Sequence, residues 1–286
     1  MRIAELFGRA DRAVFSFEFF PPKTDAGFEN LRAAIRELKL LNPDYVSVTW
    51  GAGGSTRSKT VDLTIEIQRE IGLRAMAHLS CIGSTPRQLA ATLDQLEAGG
   101  IENVLALGGD RPEGYEPPPG AFTYANELAE FVSARGTFSV GGACYPETHP
   151  SAESPEADLA HCKRKVEAGV EFLITQLFFD NADYFDFVAR AREVGIEVPI
   201  VPGIMPVLNV RSVRRMTTLS GAKIPDALQR RLDEVVESEA ATRELGIEWA
   251  TRQCRELLDR GAPGIHFYTL NKSTATRAIF ERLRAG

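Results

Sequence analysis

Val14-Phe15-Ser16-Phe17-Glu18-Phe19-Phe20-Pro21-Pro22 is a short β-prone run stopped by two prolines. Alternation along a strand sends Phe15, Phe17 and Phe19 to one face and Ser16, Glu18 and Phe20 to the other. Three phenylalanines belong against a layer of helices, so the polar face looks the opposite way. An open, doubly wound sheet that holds a dinucleotide would follow its first strand with G-x-G-x-x-G, and Phe19-Phe20-Pro21-Pro22 stands there instead. The run is expected to be the first strand of a closed barrel, with Glu18 directed into the barrel mouth.

Seven further apolar runs follow, at 45–50, 74–81, 103–108, 138–144, 172–179, 199–204 and 265–270. Between them lie helix-period stretches at 25–41, 56–71, 86–98, 124–134, 155–168, 182–194 and 210–219, with a closing one at 273–283. Several open on Ser, Thr, Asp or Pro and stop before Gly, as helix ends do. Strand and helix thus alternate, which implies parallel connectivity. The expected fold is α/β: a (β/α)8 TIM barrel with an extra N-terminal helix, and a charge-rich helical insertion at 225–261 packed outside the barrel before the eighth strand. Residues 1–286 are expected to form one catalytic domain, a little longer than the roughly 250 residues usual for this fold. Gly51-Ala52-Gly53-Gly54 lacks a dinucleotide fingerprint's spacing, and 54–60 lacks the second glycine of a phosphate loop before Lys59, so both read as a tight turn.

Composition narrows the function. A formal net charge of −6 disfavours a duplex- or membrane-binding surface and leaves small-molecule chemistry. Cys81, Cys144, Cys162 and Cys254 form no C-x-x-C pair and have no neighbouring histidine run, so they read as reduced thiols in a cytoplasmic protein with no metal site. The N-terminus shows no cleavable leader, and no segment approaches the run of about 18 apolar residues that a membrane span needs.

In a barrel the reacting groups sit at the C-terminal ends of the strands. Partial burial there disfavours the charged form of Glu18, so its carboxyl can hold a proton for general acid work. The alternative is a structural glutamate paired with a buried cation. Leu107-Gly108-Gly109-Asp110 ends the fourth strand with two glycines that let a planar ligand near the backbone before an acid, although Asp110 also reads as a turn cap. Gln176 is one amide in an apolar run and needs partners, from a heterocycle edge or from the core. His78, by itself, reads as a core histidine. Tyr145-Pro146-Glu147-Thr148-His149-Pro150 is a stiff loop leading into a helix, on which Asp158, His161 and Lys165 share one stripe beside Arg164. Such a stripe holds a phosphate or ribose, or is simply a solvated face.

Taken together these segments resemble the methylenetetrahydrofolate reductase family. The resemblance rests on Phe17-Glu18-Phe19-Phe20-Pro21-Pro22, Ser47-Val48-Thr49-Trp50-Gly51-Ala52, Ala77-His78-Leu79, Leu107-Gly108-Gly109-Asp110 and Tyr145-Pro146-Glu147-Thr148-His149-Pro150. It continues through Lys163-Arg164-Lys165-Val166, Ile174-Thr175-Gln176-Leu177-Phe178-Phe179, Pro202-Gly203-Ile204-Met205-Pro206 and His266-Phe267-Tyr268-Thr269-Leu270-Asn271, in order along nearly the whole chain. It implies an FAD-dependent oxidoreductase of one-carbon metabolism and methionine biosynthesis. In a ping-pong cycle NADH or NADPH would reduce FAD, and FAD would reduce 5,10-methylenetetrahydrofolate to 5-methyltetrahydrofolate.

By the same resemblance Glu18 would be the acid that opens the folate's five-membered ring at N10, and Asp110 would share the catalytic work. Asp110 and Gln176 would hold the pterin, Gln176 with Thr49 the nicotinamide, and Lys272 the glutamate tail. Flavin contacts would fall on Trp50, Ala52, His78, Gly109, Asp110, Ala125, Tyr145, His149, Ala152, Asp158, His161, Arg164 and Lys165. The chain departs from the family at Gly108, where Arg is common, and at Ser212 and Met216, where Gln and Phe are common. Gly108 removes a cationic contact to the flavin, while Met216 can still meet an aromatic ring through sulfur. A homo-oligomer is expected. Two rival readings are a flavin-free reductase with direct hydride transfer and a non-catalytic folate- or flavin-binding subunit.

Overall fold

Among the described residues nine short parallel strands make the sheet: β1 (Val14–Phe19), β2 (Tyr45–Val48), β3 (Ala75–Ser80), β4 (Asn103–Leu107), β5 (Ser139–Cys144), β6 (Phe172–Thr175), β7 (Ile200–Val201), β8 (Gly203–Ile204) and β9 (Gly264–Tyr268). They come from a computed structural model that describes residues 1–9, 12–51, 57–109 and 114–284. Hydrogen-bonded neighbours run β7-β6-β5-β4-β3-β2-β1-β9-β8. The two ends of that series, β7 and β8, are consecutive pieces of one strand separated by Pro202. The first piece pairs with β6 (Leu173↔Ile200) and the second with β9 (Gly203↔His266), which closes an eight-stranded cylinder. Proline lacks an N–H for the ladder, so it sits where the chain changes partners, while its carbonyl still accepts the His266 amide at 2.9 Å.

The alternation expected of β1 holds. Phe17 and Phe19 are buried in the layer between sheet and helices, and Phe15 and Phe17 meet the ring of Phe280 edge-on at 4.9 and 6.2 Å. Inside the cylinder, Val14, Tyr45, Met76, Leu105, Phe172, Ile174 and Val201 form a separate cluster that Ile3 joins. The short α1 (Ala4–Phe7) packs beneath it, with Leu6 and Phe7 against the cluster, so the expected N-terminal helix plugs the floor of the barrel.

The surrounding helices are α2 (Asp25–Lys39), α3 (Arg57–Glu66), α4 (Pro86–Ala98), α5 (Ala125–Ser133), α6 (Pro155–Glu167), α7 (Asn181–Glu193), α8 (Val210–Ser220), α9 (Asp226–Val235), α10 (Glu239–Asp259) and α11 (Ser273–Arg284). Their starts follow local chemistry: Thr24, Ser154, Asn209 and Ser238 accept from the first-turn amides, and Thr85 with Gln88 forms a reciprocal cap. The insertion at 225–261 holds α9 and α10, which take different places, and α9 sits with α8, the helix before it. α10 packs against both α7 and α11 and takes a place in the ring, whereas α8 and α9 build an additional layer. That layer has its own core, in which Leu228, Leu232, Leu245 and Trp249 meet Leu177, Phe179, Met205 and Val207. The run at 172–179 accordingly leaves the sheet after Thr175. The Leu177 amide turns to the side-chain oxygen of Gln176 at 2.9 Å, and Leu177 and Phe179 pack into the additional layer. Among the described residues no helix is long and apolar enough to cross a membrane, and all four cysteines are buried.

Candidate active site

Glu18 reaches the mouth of the cylinder with its side chain 18% exposed. Its main chain is fixed from the end of β9. The Thr269 hydroxyl donates to the Glu18 carbonyl at 2.6 Å, and Asn271 both donates to the Phe20 carbonyl at 2.8 Å and accepts from the Phe20 amide at 3.0 Å. Leu270 and Asn271 hold left-handed backbone, φ 52° and 57°, to make this clamp. The carboxyl oxygen Oε2 lies 3.4 Å from Nε2 of His266 and 3.5 Å from Nε2 of His78. One acid therefore stands between two imidazoles that come from different strands.

Both imidazoles are buried, His78 at 4% exposure and His266 at 0%. Burial pulls the pKa of His78 down to about 4; the Glu18 charge pulls the other way and His266 adds to the lowering. His78 is thus a neutral ring at physiological pH, and its Nε2 has no hydrogen-bond partner among the described residues. His266 continues inward: its Nδ1 is 2.7 Å from the buried hydroxyl of Ser16, and its ring stacks on Tyr45 at 6.3 Å. Sequence reasoning had not assigned His266 a role. Its signal was present in the alternation of Gly264, His266 and Tyr268, which the register places beside Val14, Ser16 and Glu18 on the inner face.

Beside Glu18, Tyr268 on β9 reaches toward β6, where its hydroxyl donates to the Thr175 carbonyl at 2.5 Å, and half-buried Gln176 follows directly, its main-chain amide donating to the Cys144 carbonyl at 2.7 Å. Thr49 and Trp50 follow β2. The Thr49 amide donates to the Phe19 carbonyl at 2.8 Å and its carbonyl accepts from the Thr60 hydroxyl at 2.9 Å, so this exit is tied to β1 and α3. Gly109 is exposed after β4 at φ +84°, and a Cβ there would fall 2.0 Å from the Ser80 hydroxyl, so only glycine fits. Gly108 has nothing within 4 Å of its missing Cβ. Asp110 and Ala52 lie outside the described residues.

The stripe on α6 divides. Asp158 is buried, and its carboxylate accepts the His149 amide at 3.0 Å, fixing the loop after β5. In that loop Tyr145 and His149 meet edge-on at 4.5 Å, and the Ala152 amide donates to the His149 carbonyl at 2.9 Å. Lys165 turns inward and donates to the Ala143 carbonyl. His161 and Arg164 are exposed. Ala125 is the half-buried first residue of α5, and Lys272 is exposed after β9, beyond the Asn271 clamp.

Comparison with known proteins fits this geometry. The family profile "Methylenetetrahydrofolate reductase" matches residues 3–284. The "5,10-methylenetetrahydrofolate reductase" of Escherichia coli (strain K12) is 37% identical, with 98% of this chain and 93% of that protein covered. The "Methylenetetrahydrofolate reductase (NADH) 1" of Zea mays is also 37% identical over 95% of this chain, but this chain spans only 48% of its length. The chain thus spans about half the length of the plant relatives that it matches and nearly all of the bacterial one. Among solved structures, an uncharacterised protein from Clostridium thermocellum, described as binding two copies of 5-methyl-5,6,7,8-tetrahydrofolic acid, superposes with a TM-score of 0.68 at 14% identity, covering 98% of this chain and 97% of that one, a likeness of fold. The profile match over 3–284 and the bacterial relative together place the chain in the methylenetetrahydrofolate reductase family.

Proposed function

We propose that the protein reduces 5,10-methylenetetrahydrofolate to 5-methyltetrahydrofolate, with FAD as the hydride carrier and NADH or NADPH as the source. The carrying observation is the Glu18 carboxyl, held in the mouth of the barrel between two buried imidazoles. The residues present also fit a flavin dinucleotide. Exposed Gly109 offers bare backbone to a planar heterocycle, and exposed Arg164 on α6 offers a cation to a diphosphate. When bound, FAD supplies the two-electron carrier between the nicotinamide and the folate.

The chain's own residues handle the proton. Glu18 gives its proton to N10 of the folate, the bond from the methylene carbon to N10 breaks with its electron pair going to N10, and a 5-iminium cation remains to accept hydride. The carboxylate left on Glu18 balances that cation, and water at the mouth returns the proton afterwards. A cation beside the carboxyl would hold it ionised and unable to donate. The neutral state of His78, set by burial, avoids this. Gln176 with Asp110 would hold the pterin, Gln176 with Thr49 the nicotinamide, and Lys272 the glutamate tail.

Replacement of Glu18 by Gln keeps the shape and removes the transferable proton. Folate reduction should fall by about 100-fold or more, while reduced nicotinamide is still oxidised by an artificial acceptor. Undiminished folate reduction would sink the acid role. A visible spectrum checks the carrier: the purified protein should show flavin bands, and colourless protein that reduces folate without added FAD would overturn that part.

A further inference from the structure

We propose that His266 is a positioning residue for Glu18, fixing Oε2 as an acceptor so that the proton for the substrate is carried on Oε1, the oxygen left for the mouth. This rests on the reading of Glu18 as the acid. The His266 imidazole makes only two hydrogen-bond contacts among the described residues: Nε2 to Glu18 Oε2 at 3.4 Å and Nδ1 to the Ser16 hydroxyl at 2.7 Å. With Oε2 unprotonated, as proposed, that oxygen can only accept, and Nε2 carries the hydrogen. The neutral ring then has a lone pair at Nδ1, which needs a donor, and Ser16 is that donor.

The surroundings hold this arrangement still. Tyr45 lies nearly parallel to the imidazole, at 20°, and Tyr268 stands edge-on to it at 5.3 Å and 88°. Among the described residues, those two phenols and His78 are the titratable groups that face the pair from β2, β9 and β3. Burial raises both phenols above their ordinary range and lowers His78, so all three are neutral in the physiological range. Beneath Ser16 and His266 the interior is closed by Ile3, Met76, Leu105 and Phe172. The partly exposed Glu18 carboxyl is therefore the end of the chain from which a proton can leave.

The proton-transfer step stays balanced: the hydrogen on Oε1 goes to folate N10, and the Nε2–H remains on His266 throughout, now bound to a carboxylate. A hydrogen bond that strengthens as the carboxyl ionises also favours ionisation. Removing it should let Glu18 keep its proton to higher pH, in a less defined orientation.

The test combines two variants and one spectroscopic measurement. His266→Leu should slow the folate half-reaction about tenfold or more at neutral pH with little change in folate KM, and should move the high-pH limb of its pH profile upward. Ser16→Ala should shift the limb the same way by less, and His266→Gln, whose amide can donate to Oε2, should recover part of the rate. On the wild-type protein, 15N NMR should find His266 as the neutral ring protonated at Nε2, a readout independent of turnover and of variant folding. Equal slowing of both half-reactions with an unmoved limb, or an Nδ1-protonated or charged ring, overturns the proposal. If Glu18→Gln abolishes folate reduction while His266→Leu leaves the pH profile unchanged, the positioning role alone fails. If Glu18→Gln retains reduction, the reading beneath it fails as well.

Discussion

Two histidines lie within 3.5 Å of Glu18, and the sequence exposed them unequally. Glu18 was legible because three phenylalanines on alternate positions forced the intervening residues inward. His266 stands between Ile265 and Phe267 by the same rule, yet a histidine in a strand looks like core filling until its partners on the neighbouring strand are known. Tertiary placement also sets the state of His78. Its folded pKa is about 4 against 6.5 for a solvated ring, with burial the main cause. Between those values the unfolded chain binds more protons, so stability should fall as pH drops from about 6.5 to about 4, by on the order of 3 kcal/mol, and then level off. Urea denaturation at pH 7, 5.5 and 4 checks this, with His78→Gln expected to lose most of the slope. Parallel profiles for wild type and variant would mean that another group carries the dependence.

At the scale of elements, turn and cap residues marked the helices well, with α4 bounded as the capping box and Pro86 indicate. Strand ends were harder to read. The apolar run at 172–179 looks continuous, but its last residues serve the layer that α8 and α9 build against α10, a partner that alternation cannot reveal. The same layer meets the loop after β5 at Glu147. One oxygen of Glu147 accepts the Lys223 amide at 2.9 Å, and the other is buried without a partner among the described residues. Burial raises this carboxyl to about 7; the Lys223 amide opposes the shift, and Asp183 and Asp180 add to it. The folded protein therefore holds a proton that the unfolded chain releases near 4.5, and the stabilisation is lost as pH rises through about 7. Glu147→Gln should raise the melting temperature more at pH 8 than at pH 5.5. An equal gain at both pH values would show that the carboxyl is ionised throughout.

For the whole molecule, the count of eight strands could be read from the chain, but the way the cylinder closes could not. Closure depends on the seventh strand changing partners at Pro202, and on room for Tyr268 to cross the seam and reach the Thr175 carbonyl. Gly203 provides that room. A Cβ at position 203 would come within 2.5 Å of the Thr175 carbonyl and 2.6 Å of the Tyr268 hydroxyl. The ring of Tyr268 could move aside, but the carbonyl belongs to β6 and cannot move without opening the sheet. Gly203→Ala should therefore cost about 1–3 kcal/mol in urea denaturation, and pairing it with Tyr268→Phe should recover little. Gly8→Ala is the control: it sits at ordinary helical φ with its nearest atom 3.8 Å from the added carbon, and should be close to neutral. Because β8 borders β9, a strained seam would also displace His266 and the Thr269 hydroxyl that hold Glu18. The Gly203 variant should consequently lose folate reduction at temperatures where circular dichroism still reports a folded barrel. Loss of activity only in step with unfolding would mean that the seam and the acid are mechanically independent.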